Sequence, residues 1–278
     1  MSKIKIVSDS SSDMLTLEGV DFASAPLKII SEDREFVDNE ALDLLEMSKY
    51  FSTYKGKSQT SCPNAADWIE AFGDAEQIIC LTITSGLSGS YNAASVAARI
   101  YEHEHEGRRV FVVDSLSTGP EMTLILYRLA EMIRRDVEFD HICESIMRYK
   151  ESTGLLFMLK SLKNFANNGR VSPAVAKLAG LLGICIVGRA SDEGTLEPTD
   201  KCRGEAKSLE SIVKQLEAAG LNEGRVSIAH NQNPTGAKKL RTMIKAHFPN
   251  ATTEVHELRG LCCYYAELGG ILVGFEKR

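Results

Sequence analysis

IICLTITSGLSGSYNAASVAARI, residues 78–100, carries the fold decision in one stretch. Ile78 to Ile83 is a continuous apolar run, the pattern of a strand covered on both faces in a parallel sheet. It gives way to Thr84-Ser85-Gly86-Leu87-Ser88-Gly89-Ser90, all small or polar but Leu87, and then to an alanine-rich stretch, Tyr91 to Ile100. The same unit recurs on either side. Ile4, Ile6 and Val7 form a short strand that ends in Ser8-Asp9-Ser10-Ser11-Ser12-Asp13. Val110 to Val113 is another run, closed by Asp114-Ser115-Leu116-Ser117-Thr118-Gly119-Pro120. Met122, Ile125, Leu126, Leu129, Met132 and Ile133 then recur at helical spacing. Three buried strands, each ending in a polar loop that opens a helix, predict a parallel α/β domain.

Composition shifts at about 150–173, where Leu155 to Phe165 is apolar and basic and Asn167-Asn168-Gly169 marks a turn. Pro173 predicts the start of a helix bearing Val175, Leu178, Leu181 and Leu182. Ile184 to Val187 reads as a strand, and Ser191-Asp192-Glu193-Gly194 as a hairpin turn returning through Thr195 to Lys201. Helices with Leu209, Ile212, Val213 and Leu216, and with Leu240, Met243, Ile244 and Phe248, flank a strand at Val226 to Ala229. Ile271 to Phe275 makes a final strand. The expectation is therefore two tightly packed α/β domains, 1–150 and 151–278, with no low-complexity linker between them.

A length of 278 residues, 44% apolar and 25% charged, fits an ordinary globular protein of about two domains. Acidic residues outnumber basic ones 38 to 32, which argues against nucleic acid as a partner. No apolar run approaches the roughly 18 residues of a membrane span. The opening MSKIKIVSDS alternates like a strand, unlike a signal peptide. Seven cysteines without a C-x-x-C pair suggest neither a zinc site nor a disulfide scaffold, so a cytoplasmic location is expected. A monomer is the expected state.

The loops at 8–13, 84–90 and 114–119 lie at the carboxyl ends of strands, where open α/β sheets bind ligands. Small residues let backbone N–H groups face an oxyanion, and a following helix adds its positive end. Any one loop is explained as well by helix capping; three at one sheet edge favour a ligand site. Thr60-Ser61-Cys62-Pro63-Asn64 precedes a helix containing Trp68, and its hydroxyls either cap that helix or hold a ligand. Gly86-Leu87-Ser88-Gly89-Ser90 approaches the G-x-S-x-G elbow of serine hydrolases, with His230 as the one histidine in a plausible strand-end loop. No P-loop or G-x-G-x-x-G supports a nucleotide site. Asp9 and Asp13 stand four apart, unlike the pair of an aspartyl-phosphate enzyme. His103 and His105 do not share a helix face. Cys262 and Cys263 read as small packing residues.

These residues together resemble the DegV family of bacterial fatty-acid-binding proteins. The resemblance rests on VSDSSSDM (7–14), PLKI (26–29) with Phe36 and Asp38, TSCPN (60–64) and TSGLSGSYNAA (84–94). It continues through VVDS (112–115), LKNFANNGRVS (162–172), Arg203 and GGILVGF (269–275). It implies a two-domain α/β protein that is not itself an enzyme, needs no metal or cofactor, and holds one long-chain fatty acid in a tunnel between the domains. By resemblance Thr60 and Ser88 hold the carboxylate, with Ser61 and the Gly89 amide nearby. Arg170 and Arg203 match positions implicated in handling an acyl-phosphate head or docking a separate ATP-dependent fatty acid kinase. Tunnel walls are expected from Leu155–Phe157, Leu178–Ile186 and Phe165. The chain departs from the family pattern at Tyr265, where a His is usual, at Leu268 for Pro, at Cys185-Ile186 for Lys-Pro, and at Asn64 for Ser. Two alternatives accompany this reading: an acyl-ester hydrolase with Ser88 as nucleophile, and a binder of another small organic acid.

Overall fold

The computed structural model describes residues 4–172, 175 and 183–277. β1 (Ile4–Asp9) runs into a single 3-10 turn at Ser10–Ser12 and returns as β2 (Asp21–Ala25). β3 (Lys28–Ser31), β4 (Glu35–Val37), α1 (Leu44–Thr53) and β5 (Ser58–Ser61) follow. Then come α2 (Ala65–Phe72), β6 (Gln77–Thr82), α3 (Ser90–Glu104), β7 (Arg109–Asp114), α4 (Pro120–Arg134) and α5 (Phe139–Glu151). As expected, β1, β6 and β7 are parallel; with β2 they form a four-stranded sheet in the order β2-β1-β6-β7.

The loops after β6 and β7 open long helices, but the loop after β1 does not. Ser12 Oγ donates to the Asp9 carbonyl at 3.1 Å and the Asp9 carboxylate accepts from the Ser11 amide. Such side-chain bonds compete with helix propagation. Asp13 then ends the turn in the left-handed region, at φ 59°.

A small antiparallel sheet, β4-β3-β5, was not anticipated. Its Ile29 and Phe36, with Met47 of α1, pack against Leu155, Phe157 and Leu159 from the second half of the chain.

That half comprises β8 (Thr153–Leu159), α6 (Lys163–Asn167), β9 (Ile184–Ala190), β10 (Leu196–Arg203), α7 (Glu205–Ala218), β11 (Glu223–His230), α8 (Pro234–His247), β12 (Asn250–Glu257), α9 (Gly260–Ala266) and β13 (Ile271–Glu276). Its sheet has the order β10-β9-β8-β13-β11-β12, and β11–β12 is its parallel pair. The expected hairpin is β9–β10. The strand β8 lies in the stretch that read only as apolar and basic, because it is buried on both faces. Leu156 and Met158 join the core under α7 and α8, while Leu155, Phe157 and Leu159 face the opposite way. The helix expected from Pro173 through Leu182 lies outside the described residues, except for Val175.

The start of α4 sits directly on β13. A Cβ added at Gly274 would lie 2.4 Å from the Pro120 carbonyl carbon, so only a glycine lets the helix approach this closely. Farther along α4, Glu131 accepts from Arg225 Nη1 at 2.7 Å, and the same guanidinium reaches Glu276 of β13 at 3.2 Å.

Candidate ligand-binding site

The three strand-end loops are stitched together by carboxylates that take no part in lining the site. Asp9 is fully buried; one of its oxygens accepts from the Ile83 amide at 2.9 Å and from Ser90 Oγ at 2.6 Å. Burial raises its pKa, and bonds from Ser11, Ser90 and Ile83 oppose that rise. Asp114 Oδ1 accepts from the amides of Ser85 and Leu116, both at 3.1 Å, and the Thr84 amide donates to the Ser117 carbonyl at 2.9 Å. The acids of these loops therefore serve to hold the backbone, and of the loop hydroxyl residues Thr84, Ser88, Ser117 and Thr118 line the cavity.

The ambiguity over residues 60–64 resolves in favour of Asn64 as the cap. Its side chain accepts from the amides of Ala66 and Asp67, and Asp67 accepts from the Asn64 amide at 2.8 Å, a reciprocal capping box. Thr60 is thereby free of capping duty. At α3, a 15-residue helix, the cap residue is Gly89, which offers no side chain, and the Asp9 carboxylate meets the helix start at Ser90 Oγ. Ser88 Oγ accepts weakly from the Ser90 amide, at 3.3 Å.

Thr60, Ser61, Ser88, Gly89, Arg170 and Tyr265 all line one cavity of about 280 Å³. Leu155, Phe157 and Leu159 of β8, Phe165 of α6 and Leu272 of β13 give it apolar walls. Among the described residues, Arg170 is the one charged residue in the lining. Its Nε donates to the Leu87 carbonyl at 2.8 Å and its Nη1 to the Asn168 carbonyl at 2.5 Å, which fixes the guanidinium over the 84–90 loop. Thr60 Oγ1 and the Tyr265 hydroxyl are 2.8 Å apart, and the Tyr265 ring packs tilted against Phe165 with centroids 4.6 Å apart. Ser61 is exposed at the rim, with its hydroxyl donated to the Cys62 carbonyl. Burial pushes the Cys62 thiol and the Tyr265 phenol above their ordinary values, so both are protonated and uncharged at neutral pH.

Arg203 is not part of this group. It is exposed at the far end of β10, about 23 Å along the strand from the lining residue Leu196 at roughly 3.3 Å per residue. His230 is buried at the end of β11, where its Nδ1 accepts from the Asn233 amide at 3.4 Å, and it does not line the cavity. Among the described residues Ser88 thus shares its cavity with no histidine. Cys262 and Cys263 are buried, with sulfurs 3.3 and 3.1 Å from the Ser11 and Leu258 carbonyls, as packing residues would be. Of the expected walls, Leu155 and Phe157 line the cavity while Leu156 turns to the other core. Of the expected stretch Leu178–Ile186, residues 178–182 lie outside the described residues, and Ile184, Cys185 and Ile186 pack into the cores instead of lining the cavity.

Sequence reasoning missed the tip of the β9–β10 hairpin. Gly194, Thr195 and Leu196 line the cavity, and the tip rests on the 84–86 loop. The signal is a pair of glycines: a Cβ at Gly86 would lie 2.7 Å from the Glu193 carbonyl, and one at Gly194 2.0 Å from Thr84 Oγ1. Nothing in a single sequence connects glycines so far apart.

The family model described as "Uncharacterised protein, DegV family" matches residues 3–278. A DegV domain-containing protein of Streptococcus pneumoniae strain R6 is 38% identical over 276 residues, 98% of each chain. Two crystal structures superpose with TM-scores of 0.97, each covering 99% of this chain and 100% of its own. One is a DegV family protein from Eubacterium eligens loaded with heptadecanoic acid, 42% identical. The other is the Streptococcus pneumoniae Fatty Acid Kinase (Fak) B3 protein loaded with linoleic acid, 37% identical. With sequence and backbone alike matched from end to end, the chain belongs to the DegV family.

Proposed function

We propose that the protein binds one long-chain fatty acid in this cavity and presents it to an ATP-dependent fatty acid kinase. The observation that carries the reading is the division of one cavity into a hydroxyl-rich region with a single cation, Arg170, and walls of leucine and phenylalanine. That division suits an anionic amphiphile. A carboxylate taken out of water must be hydrogen-bonded, and Thr60, Ser88 and the Gly89 amide at the start of α3 line the cavity as donors. Donors to an ionised acceptor make the stronger class of hydrogen bond. The tail contributes roughly 0.8 kcal/mol for each buried methylene, so it supplies most of the affinity. The fatty acids carried by the Eubacterium eligens and Streptococcus pneumoniae relatives support the same assignment.

In this reading the chain supplies binding and orientation, and the kinase supplies phosphoryl transfer. Arg170 has donors beyond the two engaged with Leu87 and Asn168, since a guanidinium carries five N–H groups. Those remaining groups are assigned to the acyl-phosphate head, and exposed Arg203 to the face that docks the kinase. We divide the protein into residues 1–150, which bring the carboxylate-binding loops, and 151–278, which cover the acyl chain, and assign it to the cytoplasm as a monomer.

Denaturing mass spectrometry of protein purified from cells tests the reading. It should release a long-chain fatty acid, and the stripped protein should bind oleate saturably. Protein that is empty as purified and shows no saturable oleate binding would sink the proposal.

A further inference from the structure

The hydrogen bond between Thr60 Oγ1 and the Tyr265 hydroxyl can run in either direction, because each group can donate or accept. We propose that Tyr265 is a positioning residue: it donates to Thr60 Oγ1 and so turns the Thr60 proton toward the ligand's carboxylate. This rests on the fatty-acid reading above and adds a specific role for the residue behind the contact.

A carboxylate only accepts. If the single Thr60 proton went to Tyr265, the ligand would meet an oxygen lone pair. Donation from Tyr265 removes that arrangement and polarises the Thr60 O–H, as hydrogen bonds in a chain do. Tyr265 is built to stay in place. Its ring lies on Phe165 at an interplanar angle of 33° and meets the edge of Tyr264 at 75°. The Tyr264 hydroxyl is held in turn by Ser58 Oγ at 2.7 Å and by Asn168 Nδ2, which donates at 3.0 Å. Ser58 and Thr60 are alternate residues of β5 and share one face of the strand, so two adjacent tyrosines of α9 clamp two adjacent inward positions. The phenol also stays protonated, since burial opposes its ionisation, and the donor is therefore present throughout the physiological range.

The test compares oleate with oleyl alcohol, which has the same tail and no carboxylate, on lipid-stripped protein. Tyr265→Phe keeps the ring and should weaken oleate about three- to ten-fold, the scale of one indirect charge-assisted hydrogen bond. Oleyl alcohol should bind as before, which also shows that the variant is folded. In a Thr60→Val background the same change should cost less than about two-fold, and Thr60→Ser should restore the full effect. Carbon-13 NMR of carboxyl-labelled oleate should show the bound acid titrating at higher pH in Tyr265→Phe than in the parent protein. Equal losses for acid and alcohol, additivity with Thr60→Val, or a larger cost for Tyr265→Phe than for Thr60→Val would overturn the proposal. Failure of the parent protein to bind oleate at all would instead overturn the fatty-acid reading on which it stands.

Discussion

Gly194, at the tip of the β9–β10 hairpin, is seated on Thr84, in the loop after β6. Its φ is +71°, and a Cβ placed there would come 2.0 Å from Thr84 Oγ1 and 2.9 Å from the Leu116 carbonyl. Two costs coincide at that position, a left-handed backbone and a backbone neighbour that does not yield. Gly194→Ala is expected to lower stability by about 2–4 kcal/mol and to lift the hairpin from the cavity. Chemical denaturation measures the first effect and oleate affinity the second. A stable variant with unchanged affinity would show that the tip does not close the site.

Thr60→Val combined with Ser88→Ala removes two hydroxyls from the lining while leaving the backbone bonds of β5 and the α3 amides in place. At about 1–1.5 kcal/mol for each lost bond, the pair should weaken oleate some 30- to 150-fold. Thermal melting of the stripped protein should shift little. Unchanged oleate affinity in the double variant would mean that the head group binds elsewhere.

The two cysteines and the tyrosine that line the cavity stay uncharged across the neutral range. Burial drives Cys62, Cys262 and Tyr265 upward from ordinary values of 9.0, 9.0 and 10.0. A long-chain alkyl sulfonate, whose own charge does not change, should bind with an affinity constant within about two-fold from pH 6 to pH 8.5. A clear titration in that range would place an ionising group at the site that the described lining lacks.

Asp13 and Asp38 are buried near one another beside the start of α9, accepting from the amides of Arg259 and Leu261 at 2.8 and 2.9 Å. One oxygen of each, Asp13 Oδ2 and Asp38 Oδ1, has no hydrogen-bond partner. Burial raises both pKa values, and for Asp13 the nearby Asp38 charge raises it further. Such groups bind more protons folded than unfolded, so their contribution is full below the unfolded value near 3.8 and is lost as pH rises through the folded one. Asp13→Asn keeps the acceptor for Arg259 and suits the left-handed backbone at φ 59°. The variant should be more stable than the parent at pH 8, with the advantage shrinking toward pH 4. Urea denaturation across that range checks it, and a pH-independent difference would show that Asp13 does not titrate.

The first sheet was legible because its strands announce themselves as apolar runs; Ile78–Ile83 and Val110–Val113 lie at β6 and β7 almost residue for residue, with β6 buried at the centre and β7 a half-buried edge. The loops that follow were legible from their small hydroxylic residues, and Thr60, Ser88, Gly89 and Tyr265 do converge on one cavity. The small sheet escaped because strands as short as Glu35–Val37 give no period to read, and its burial depends on β8 more than a hundred residues later. The β8 strand was obscured by its own two-sided burial. Arg203 was grouped with Arg170 by motif position, which carries no distance; the length of β10 separates them.

β13 lies between β8 and β11 at the centre of its sheet, although every other strand of that sheet precedes it in sequence. During synthesis, β8–β9–β10 and β11–β12 therefore emerge from the ribosome as two separate ribbons, each with an apolar edge awaiting the same missing neighbour. Only when residues 271–276 leave the exit tunnel do the ribbons join, and Leu272 arrives with them as part of the cavity wall. The nascent chain has no finished pocket to load until that moment, and its open edges are the places where a chaperone would be needed.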